Sequence, residues 1–403
     1  MRVAHISYYY GNNISGAPIA ALRLHNALLR KGIDSHFVCA KQNDQGVNVH
    51  RVPQSKVLGW MVYVLTRGIW ALSQFFCGRI FMANMIPLPG FYKKIKEIDP
   101  DVVHIHFVSQ DMVSFGQLTA LGLPFAFTLH DLSIVNAVEP YPGADKRYIN
   151  GFQASDSSVI ERWLWRRKKR FVEMNKIFFS GPSKWVCSAF RNSVIGKERN
   201  SVLIPNLIDP AFGFKPNLYV PHQKFKILFG AFKGRKSPLK GWGDLVNALK
   251  VLPVEIKSQI EVCVFGENRQ SYIEEGVRVC FAGSINNPSD LRDLHHKVDI
   301  FALPSKQDNA PQVKFEALVD GLPIIAFERT GCAEYLENGV NGWVAPDGDW
   351  QEYARGILHF YGMFASGELL TLRHQIARES MVRFSEDEII RQYLKFYEDC
   401  LKA

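Results

Sequence analysis

The stretch LPSKQDNAPQVKFEALVDGLPIIAF (303–327) decides how the rest of the chain is read. It opens in an apolar run, DIFALP (299–304), and crosses a polar loop. A helical pattern starts near Pro311, and a second apolar run, PIIAF (323–327), closes it. Proline suits the first helical turn, where its missing N–H has no partner to lose. Strand, loop, helix and strand in that order make a βαβ unit, which joins parallel strands through a crossover. Two carboxylates stand in it with seven residues between them: Asp308 in the loop, and Glu316 about one and a half turns into the helix.

The same alternation runs outward in both directions. Towards the N-terminus the apolar runs are VAHISYYY (3–10), SHFVCA (35–40), DVVHIHF (101–107), FAFTLH (125–130), KIFFS (176–180) and VLIP (202–205). In the second half they are KFKILFGAF (224–232), EVCVFG (261–266), VRVCFAG (277–283), DIFALP, PIIAF and GWVAP (342–346). Continuous apolar strands suit a parallel sheet covered on both faces. Twelve are too many for one comfortable sheet, so two sheets in two α/β domains are expected. The proline-rich stretch PNLIDPAFGFKPNLYVPHQ (205–223) reads as the seam. The expected boundaries are 1–205, 206–384 and a terminal helix over 385–403, with a capping box of Ser385 and Glu388 and an apolar stripe of Ile389, Tyr393, Phe396 and Leu401.

Composition narrows the class without choosing a function. The chain is 47% hydrophobic and 22% charged, which is globular rather than disordered. Its net charge of +9 favours an anionic partner. No nucleic-acid-binding motif is recognisable, so nucleic acid is not expected. Seven scattered cysteines, never spaced C-x-x-C, suit reduced thiols in the cytoplasm, and the N-terminus lacks a signal-peptide pattern.

Ligands of open α/β sheets sit beyond the carboxyl ends of strands, so the loops after strands matter most. After the first strand, Gly11, Gly16 and Pro18 form a loop and helix start whose N–H groups suit an anion, or an ordinary strand–helix turn. His130 ends the FAFTLH run and Asp131 follows it; a histidine at a strand's carboxyl end suits a hydrogen bond to substrate, or a satisfied structural role. His104 and His106 share one strand face, but the sequence offers no third ligand and no metal is expected. Asp99-Pro100-Asp101 and Asp347-Gly348-Asp349 read as turns rather than metal sites. In GAFKGRKSPLKGWGDLVNAL (230–249), Lys233, Arg235, Lys236 and Lys240 crowd a loop before a helix, which suits a diphosphate, or a solvated basic loop. Asp308 and Glu316 cannot attract a diphosphate but can accept hydrogen bonds from hydroxyls; taken alone, they read better as a capping Asp and a surface Glu. N–H groups near Asn309, Ala310, Pro311 and Gln312 suit phosphate or sugar oxygens. A molecule with phosphate in its middle and hydroxyls at both ends, a nucleotide sugar, meets these demands.

Taken in order, SGAPIAALRLHNALLRKG, VVHIHF, TLHD, SGPSKWVCSAFRNS, VLIPNLIDPAF, LKGWGDLVNAL and PSKQDNAPQVKFEALVDGLPIIAFERTGCAEYLENGVNGWVAP resemble the retaining GT-B glycosyltransferases of family four, nearest to the bacterial colanic-acid type. The last stretch matches the family's E-x7-E element. The resemblance implies an α/β GT-B fold: two Rossmann-like doubly wound domains facing a cleft, the N-terminal one for the acceptor and the C-terminal one for the donor, with a C-terminal helix crossing back. It implies a retaining, metal-independent hexosyltransferase acting in capsule, lipopolysaccharide or other surface polysaccharide synthesis. The donor is a UDP- or GDP-linked sugar, the acceptor a glycan or polyprenyl-diphosphate-linked oligosaccharide, and no cofactor is needed. Residue by residue, Asp308 binds donor-sugar hydroxyls, Glu316 the ribose, Lys240 and Arg235 the diphosphate, Gly16 the phosphate or acceptor, and His130 sits by the sugar. The chain departs from the family at Asp308, where Glu is usual, and at Ser15-Gly16, Gly230-Ala231 and Leu207. Other readings are a nucleotide-sugar epimerase or phosphorylase on the same fold, or a non-catalytic nucleotide-sugar-binding protein.

Two segments bear on where the protein works. VLGWMVYVLTRGIWALSQFFC (57–77) reads as an amphipathic helix lying on a membrane or packed on the sheet. ERWLWRRKKRFV (161–172) mixes tryptophan with a basic run, suited to an anionic lipid surface or to solvent. Together they predict a cytoplasmic protein held peripherally at the inner face of the cytoplasmic membrane.

Overall fold

The computed structural model describes residues 1–11, 16–52, 64, 68, 88, 90–107, 112–141, 143, 145–215, 222–230, 235, 237–285 and 287–402. The 57–77 segment lies almost wholly outside them, as do Ser15, Ala231, Lys233 and Lys236. The chain divides into two compact units: Met1–Pro205 with Ile389–Ala403, and Asn206–Glu388.

The first unit is built on a parallel seven-stranded sheet. Its strands are β1 (Arg2–Ser7), β3 (Asp34–Cys39), β5 (Val49–Arg51), β6 (Val102–Phe107), β7 (Phe125–Thr128), β8 (Ile177–Gly181) and β9 (Ser201–Leu203), in the order β5-β3-β1-β6-β7-β8-β9. A two-residue pair, β2 (Tyr9–Tyr10) and β4 (Lys41–Gln42), stands beside it. Val3, Ala4, His5 and Ile6 are all buried, as covering on both faces requires. Helices Gly16–Arg30, Gly90–Ile98, Val159–Met174 and Lys184–Arg191 are among the connections. The core joins Ile6, Val103 and Phe125 of the sheet to Phe91, Leu164 and Phe171 of the helices.

The second unit repeats the design. β10 (Phe225–Gly230), β11 (Ile260–Phe265), β12 (Tyr272–Glu274), β13 (Val277–Gly283), β14 (Ile300–Leu303), β15 (Ile324–Phe327) and β16 (Gly342–Ala345) lie in the order β12-β13-β11-β10-β14-β15-β16. All pairs are parallel except β12 with β13. Every one of the twelve apolar runs contains a strand. The short edge strands β5 and β12 have no such run and were not expected.

In each sheet the order reverses beside the first strand, between β1 and β6 and between β10 and β14. Such switch points open a crevice beyond the strand ends, where ligands of doubly wound sheets bind. The loops that follow β10 and β14 carry Lys240 and Asp308.

The terminal helix Glu386–Lys402 buries Ile389, Ile390, Tyr393, Phe396, Tyr397 and Cys400. Its residues from Ile389 onward belong to the first unit, and the Tyr397 hydroxyl meets His104 Nδ1 at 2.8 Å. Leu401 is exposed rather than part of the stripe, because Cys400 holds the next inward position after Phe396. Ser385 Oγ accepts the Glu388 N–H at 3.4 Å.

Candidate donor and histidine sites

The second unit gathers its polar residues around two loops clamped to each other. Gly241 has φ 75°, and a Cβ there would lie 1.9 Å from the Pro304 carbonyl oxygen. Only glycine combines that backbone with that approach. Beside it the Lys306 N–H donates to the Leu239 carbonyl at 2.8 Å. The clamp sets Lys240 Nζ 2.5 Å from Asp308 Oδ2. Burial alone would lower the Lys240 pKa, but the Asp308 carboxylate outweighs it and the value is raised.

Behind the pair the loop is tied at several points. Asn206 Nδ2 donates to the Ala310 carbonyl at 3.2 Å, and the Gly331 N–H to the Asp308 carbonyl at 3.2 Å. Arg329 donates to the Ser305 carbonyl and pairs with Asp244 at 2.8 Å. The helix Gln312–Val319 follows, with Pro311 at its N-cap, which brings no side-chain acceptor to the first-turn N–H groups. Asn309 and Ala310 are buried, Pro311 and Gln312 half-buried, and Glu316 is 3% exposed.

Sequence reasoning missed Lys314 on the same helix. Its buried ammonium donates to the Gly331 carbonyl at 2.6 Å and the Glu334 carbonyl at 3.3 Å. Burial pushes its pKa down to about 8. It ties this helix to the loop after β15, so the two loops beyond β14 and β15 are held as one piece. A lysine set beside Glu316 among the apolar residues of VKFEALV was the available signal.

Arg235, expected to help Lys240, has its guanidinium engaged elsewhere. It donates to Tyr272 Oη at 2.8 Å and Glu267 Oε1 at 3.1 Å, and sits 5.0 Å over the Trp242 ring. The two D-x-D pairs have structural partners. Asp101 accepts the Arg2 backbone N–H, Asp347 pairs with Arg329, and Asp349 caps helix Trp350–Ser366 through the Glu352 N–H.

Gly16 and His130 belong to the first unit. Gly16 begins helix Gly16–Arg30, is exposed, and has nothing within 4 Å of where a Cβ would be. Packing within the protein therefore does not demand glycine there. His130 Nε2 lies 3.0 Å from His106 Nδ1, and His106 Nε2 lies 3.0 Å from His5 Nδ1. Burial lowers all three pKa values, that of His130 to about 3, so these rings are neutral near pH 7. Nitrogens of His5, His104 and His106 lie within 4.8 Å of one another. His5 is the third imidazole that the sequence did not reveal, since its proximity depends on β1 lying beside β6.

The loop after β7 is anchored by helix Val159–Met174. Lys168 Nζ donates to the carbonyls of Ser133, Asn136 and Ala137 at 2.6, 2.7 and 3.1 Å, and Trp165 Nε1 to that of Val135 at 3.1 Å. Burial pushes the Lys168 pKa down to about 8. Trp165 and Lys168 thus face inward. Val159, Ile160, Trp163, Arg166, Arg170 and Met174 face out, with Arg167 stacked 4.8 Å from the Trp163 ring. Among the described residues, no helix is long and apolar enough to cross a membrane.

Comparison with known proteins fits this architecture. Residues 14–212 match the model of Glycosyltransferase Family 4, and residues 221–362 that of Glycosyl transferases group 1. Among solved structures, sucrose-phosphate synthase from Thermosynechococcus elongatus superposes with a TM-score of 0.68 at 16% identity, covering 99% of this chain and 98% of that one. Anabaena HepE in complex with UDP-glucose gives 0.60 at 18%, covering 99% and 100%. These define a GT-B glycosyltransferase fold. With both halves matched, the chain belongs to the family-four-like GT-B glycosyltransferases. The amylovoran biosynthesis glycosyltransferase AmsK of Erwinia amylovora is 38% identical over 156 residues, 34% of this chain and 36% of that protein. The N,N'-diacetylbacillosaminyl-diphospho-undecaprenol alpha-1,3-N-acetylgalactosaminyltransferase of Campylobacter jejuni is 28% identical over 115 residues, 28% of this chain and 30% of that protein. The chain spans about a third to a half of the length of these and the other first relatives it matches.

Proposed function

We propose that this protein is a retaining, metal-independent hexosyltransferase of bacterial surface polysaccharide synthesis. It takes a sugar from a UDP- or GDP-linked donor to a glycan or polyprenyl-diphosphate-linked oligosaccharide. The carrying observation is the Lys240–Asp308 pair at the β10/β14 switch point, with Asp308 in the loop that leads into the helix of buried Glu316.

A bound diphosphate replaces Asp308 as the partner of Lys240. Asp308 then turns its oxygens to the sugar hydroxyls, and Glu316 takes the ribose. First-turn N–H groups of Gln312–Val319 meet phosphate oxygen. As the anomeric carbon–oxygen bond to phosphate breaks, Lys240 stabilises the charge gathering on the leaving group, the kind of preorganised contact that usually dominates catalysis. The acceptor hydroxyl attacks the same face and passes its proton to the leaving phosphate oxygen. Neutral His130 hydrogen-bonds the sugar and does not act as a base.

The UDP-glucose complex of HepE supports a nucleotide sugar, and the names of the Erwinia and Campylobacter relatives support a polysaccharide pathway and a lipid-linked acceptor. The outward face of Val159–Met174 supports peripheral attachment to anionic lipid. The test is a panel of UDP- and GDP-sugars, read by thermal shift and by release of nucleoside diphosphate, with and without lipid-linked oligosaccharide and with chelator. Acceptor-dependent turnover, retained anomeric configuration and indifference to chelator are expected. Donor conversion without acceptor makes the protein an epimerase, and stabilisation without turnover on any acceptor makes it a binding protein.

A further inference from the structure

One buried charge in the second unit is only half explained by the bonds it makes. Lys314 is fully buried on helix Gln312–Val319, two residues before Glu316. Its ammonium donates to the Gly331 carbonyl at 2.6 Å and the Glu334 carbonyl at 3.3 Å. An uncharged donor makes the same two bonds, so they do not by themselves call for a charge. A buried ammonium is costly unless an anion stands near it. Burial lowers the Lys314 pKa to about 8, and Cys332, Glu334 and Asp308 oppose that shift.

Of these three groups, Asp308 is the one in the candidate donor site. Burial pushes the Cys332 thiol up to about 12, so it is neutral near pH 7. Glu334 is half-buried on the loop after β15, whereas Asp308 is 8% exposed. Gly331 joins Lys314 to Asp308: its carbonyl accepts from the Lys314 ammonium, and its N–H donates to the Asp308 carbonyl at 3.2 Å. Without donor, Lys240 neutralises Asp308 across 2.5 Å. With a diphosphate bound, Lys240 turns to phosphate and Asp308 is left beside added negative charge. A nearly buried carboxylate is destabilised there unless another cation remains. Arg329, on the loop after β15, is held by Asp244 and Asp347. Lys314 is fixed by backbone carbonyls within the fold, and an incoming phosphate does not draw it away.

We propose that Lys314 is a positioning residue, the fixed second cation that keeps Asp308 an anion facing the sugar once Lys240 has turned to the diphosphate. The inference rests on the reading of Asp308 as the sugar contact. An ionised carboxylate only accepts hydrogen bonds, which is what neighbouring sugar hydroxyls require of it. The site then divides its two lysines: Lys240 moves between carboxylate and phosphate, and Lys314 stays behind the carboxylate.

A charge role and a mere tie differ in their response to pH. The groups around the ammonium are Asp308 and Lys240 on the loops after β14 and β10, Cys332, Glu334 and Tyr335 on the loop after β15, Glu316 on its own helix, and Arg383, 5.3 Å from the Tyr335 ring. The Lys240 pKa is raised by Asp308 against burial and that of Cys332 is about 12, so neither changes charge near pH 8. Lys314 does. A neutral amine still donates to both carbonyls, so a tie survives loss of the proton, whereas a charge acting on Asp308 does not. Lys168 of the first unit, lowered by burial to about 8, titrates in the same range, and a Lys314 variant separates the two.

The experiment is a double-mutant cycle of Lys314→Gln and Asp308→Asn in the full chain. Glutamine keeps an N–H for the Gly331 carbonyl and removes the charge. UDP-glucose and GDP-mannose are the probes, read by calorimetry and by kcat/KM, which reports groups of the free enzyme. The native kcat/KM should fall about tenfold between pH 7 and 9. Lys314→Gln should be about tenfold weaker at pH 7 and flat across that range, and in Asp308→Asn the same substitution should change affinity less than about twofold. Equal losses in the two backgrounds overturn the proposal, and so does a fall above pH 8 that survives in Lys314→Gln. A second arm needs no ligand. In the chain carrying lysine labelled with 13C at Cε, the NMR signal absent from a Lys314 variant should titrate near pH 8, and Asp308→Asn should lower its midpoint by about half a unit or more. An unmoved midpoint overturns the proposal. If neither nucleotide sugar binds, the donor reading fails by itself, and the ligand-free arm still decides whether Lys314 and Asp308 act as a pair. If Lys314→Gln does not fold, Lys314→Arg identifies the signal and Asp308→Asn gives the answer.

Discussion

Removing the Lys240 ammonium should damage stability and turnover by separable amounts. Lys240 Nζ and Asp308 Oδ2 are 2.5 Å apart, with side chains 23% and 12% exposed. In Lys240→Met, the Asp308 carboxylate keeps one other hydrogen-bond contact among the described residues, the Ser305 hydroxyl at 3.5 Å. Breaking a fully buried pair costs about 3–5 kcal/mol, and the residual exposure here places the loss nearer about 2–3 kcal/mol. For a domain of this size that is roughly 4–12 °C in Tm. Turnover should fall about 10²–10³-fold through loss of the charge facing the diphosphate. In Lys240→Met with Asp308→Asn the stranded charge is gone. Most of the stability should return, because removing both partners of a buried pair is often neutral. The turnover should not return. Thermal and urea unfolding give the first quantity, and release of nucleoside diphosphate the second. A double variant no more stable than the single one would refute the pair as the source of the loss. Near-native turnover in Lys240→Met would refute the diphosphate role.

Glu316→Ala should weaken nucleoside diphosphate binding about tenfold or more in calorimetry, and unchanged affinity counts against a ribose contact. Gly241→Ala should destabilise the protein by more than about 2 kcal/mol in urea unfolding, since φ 75° and the Pro304 carbonyl both resist a methyl group; a neutral result would mean the clamp can open cheaply. The folded pKa of Lys314, about 8, is below the unfolded value, so the unfolded chain binds more protons between about pH 8 and 10.4 and stability must rise with pH across that window. The stability difference between wild type and Lys314→Met should therefore move in favour of wild type by at most about 1.4 kcal/mol per pH unit there, and a flat difference would show that the buried amine keeps its proton up to about pH 10, its pKa not lowered by burial. Trp163→Ala combined with Arg166→Glu and Arg170→Glu should abolish flotation with anionic liposomes without changing Tm by more than about 2 °C; retained flotation would move the lipid contact elsewhere.

Strands were legible because a sheet covered on both faces demands uninterrupted apolar runs, and PIIAF or FKILFG can satisfy little else. The three-residue edges β5 and β12 carry no such demand: VHR and YIE are exposed or half-buried, and only pairing makes them strands. Asp308 and Lys240 were legible one at a time, as a carboxylate and a cation in loops after strands. Their direct pairing was not, because it depends on Gly241 pressing one loop on the other. In ERWLWRRKKRFV the sequence shows tryptophans mixed with a basic run, suited to lipid or to solvent, and does not show which of them turn inward. The helix sends Trp165 and Lys168 inward with Leu164, Phe171 and Val172, and a sufficient set of loop carbonyls makes a lysine acceptable there. His5 was invisible as a partner of His106, since no local pattern encodes which strand lies next to which.

The return of Ile389–Ala403 to the first unit has a consequence for synthesis. Chains emerge from the ribosome in order, at about 5–20 residues per second, and domains tend to fold as they appear. Here the sheet of Met1–Pro205 is made first, yet the helix that covers His104 with Tyr397 is made last, 293 residues later. The first unit must wait, with that face unsealed, while Asn206–Glu388 is translated as an insertion within it. A nascent chain stalled before Ile389 should therefore carry a second unit able to fold and a first unit still open to chaperones and proteases.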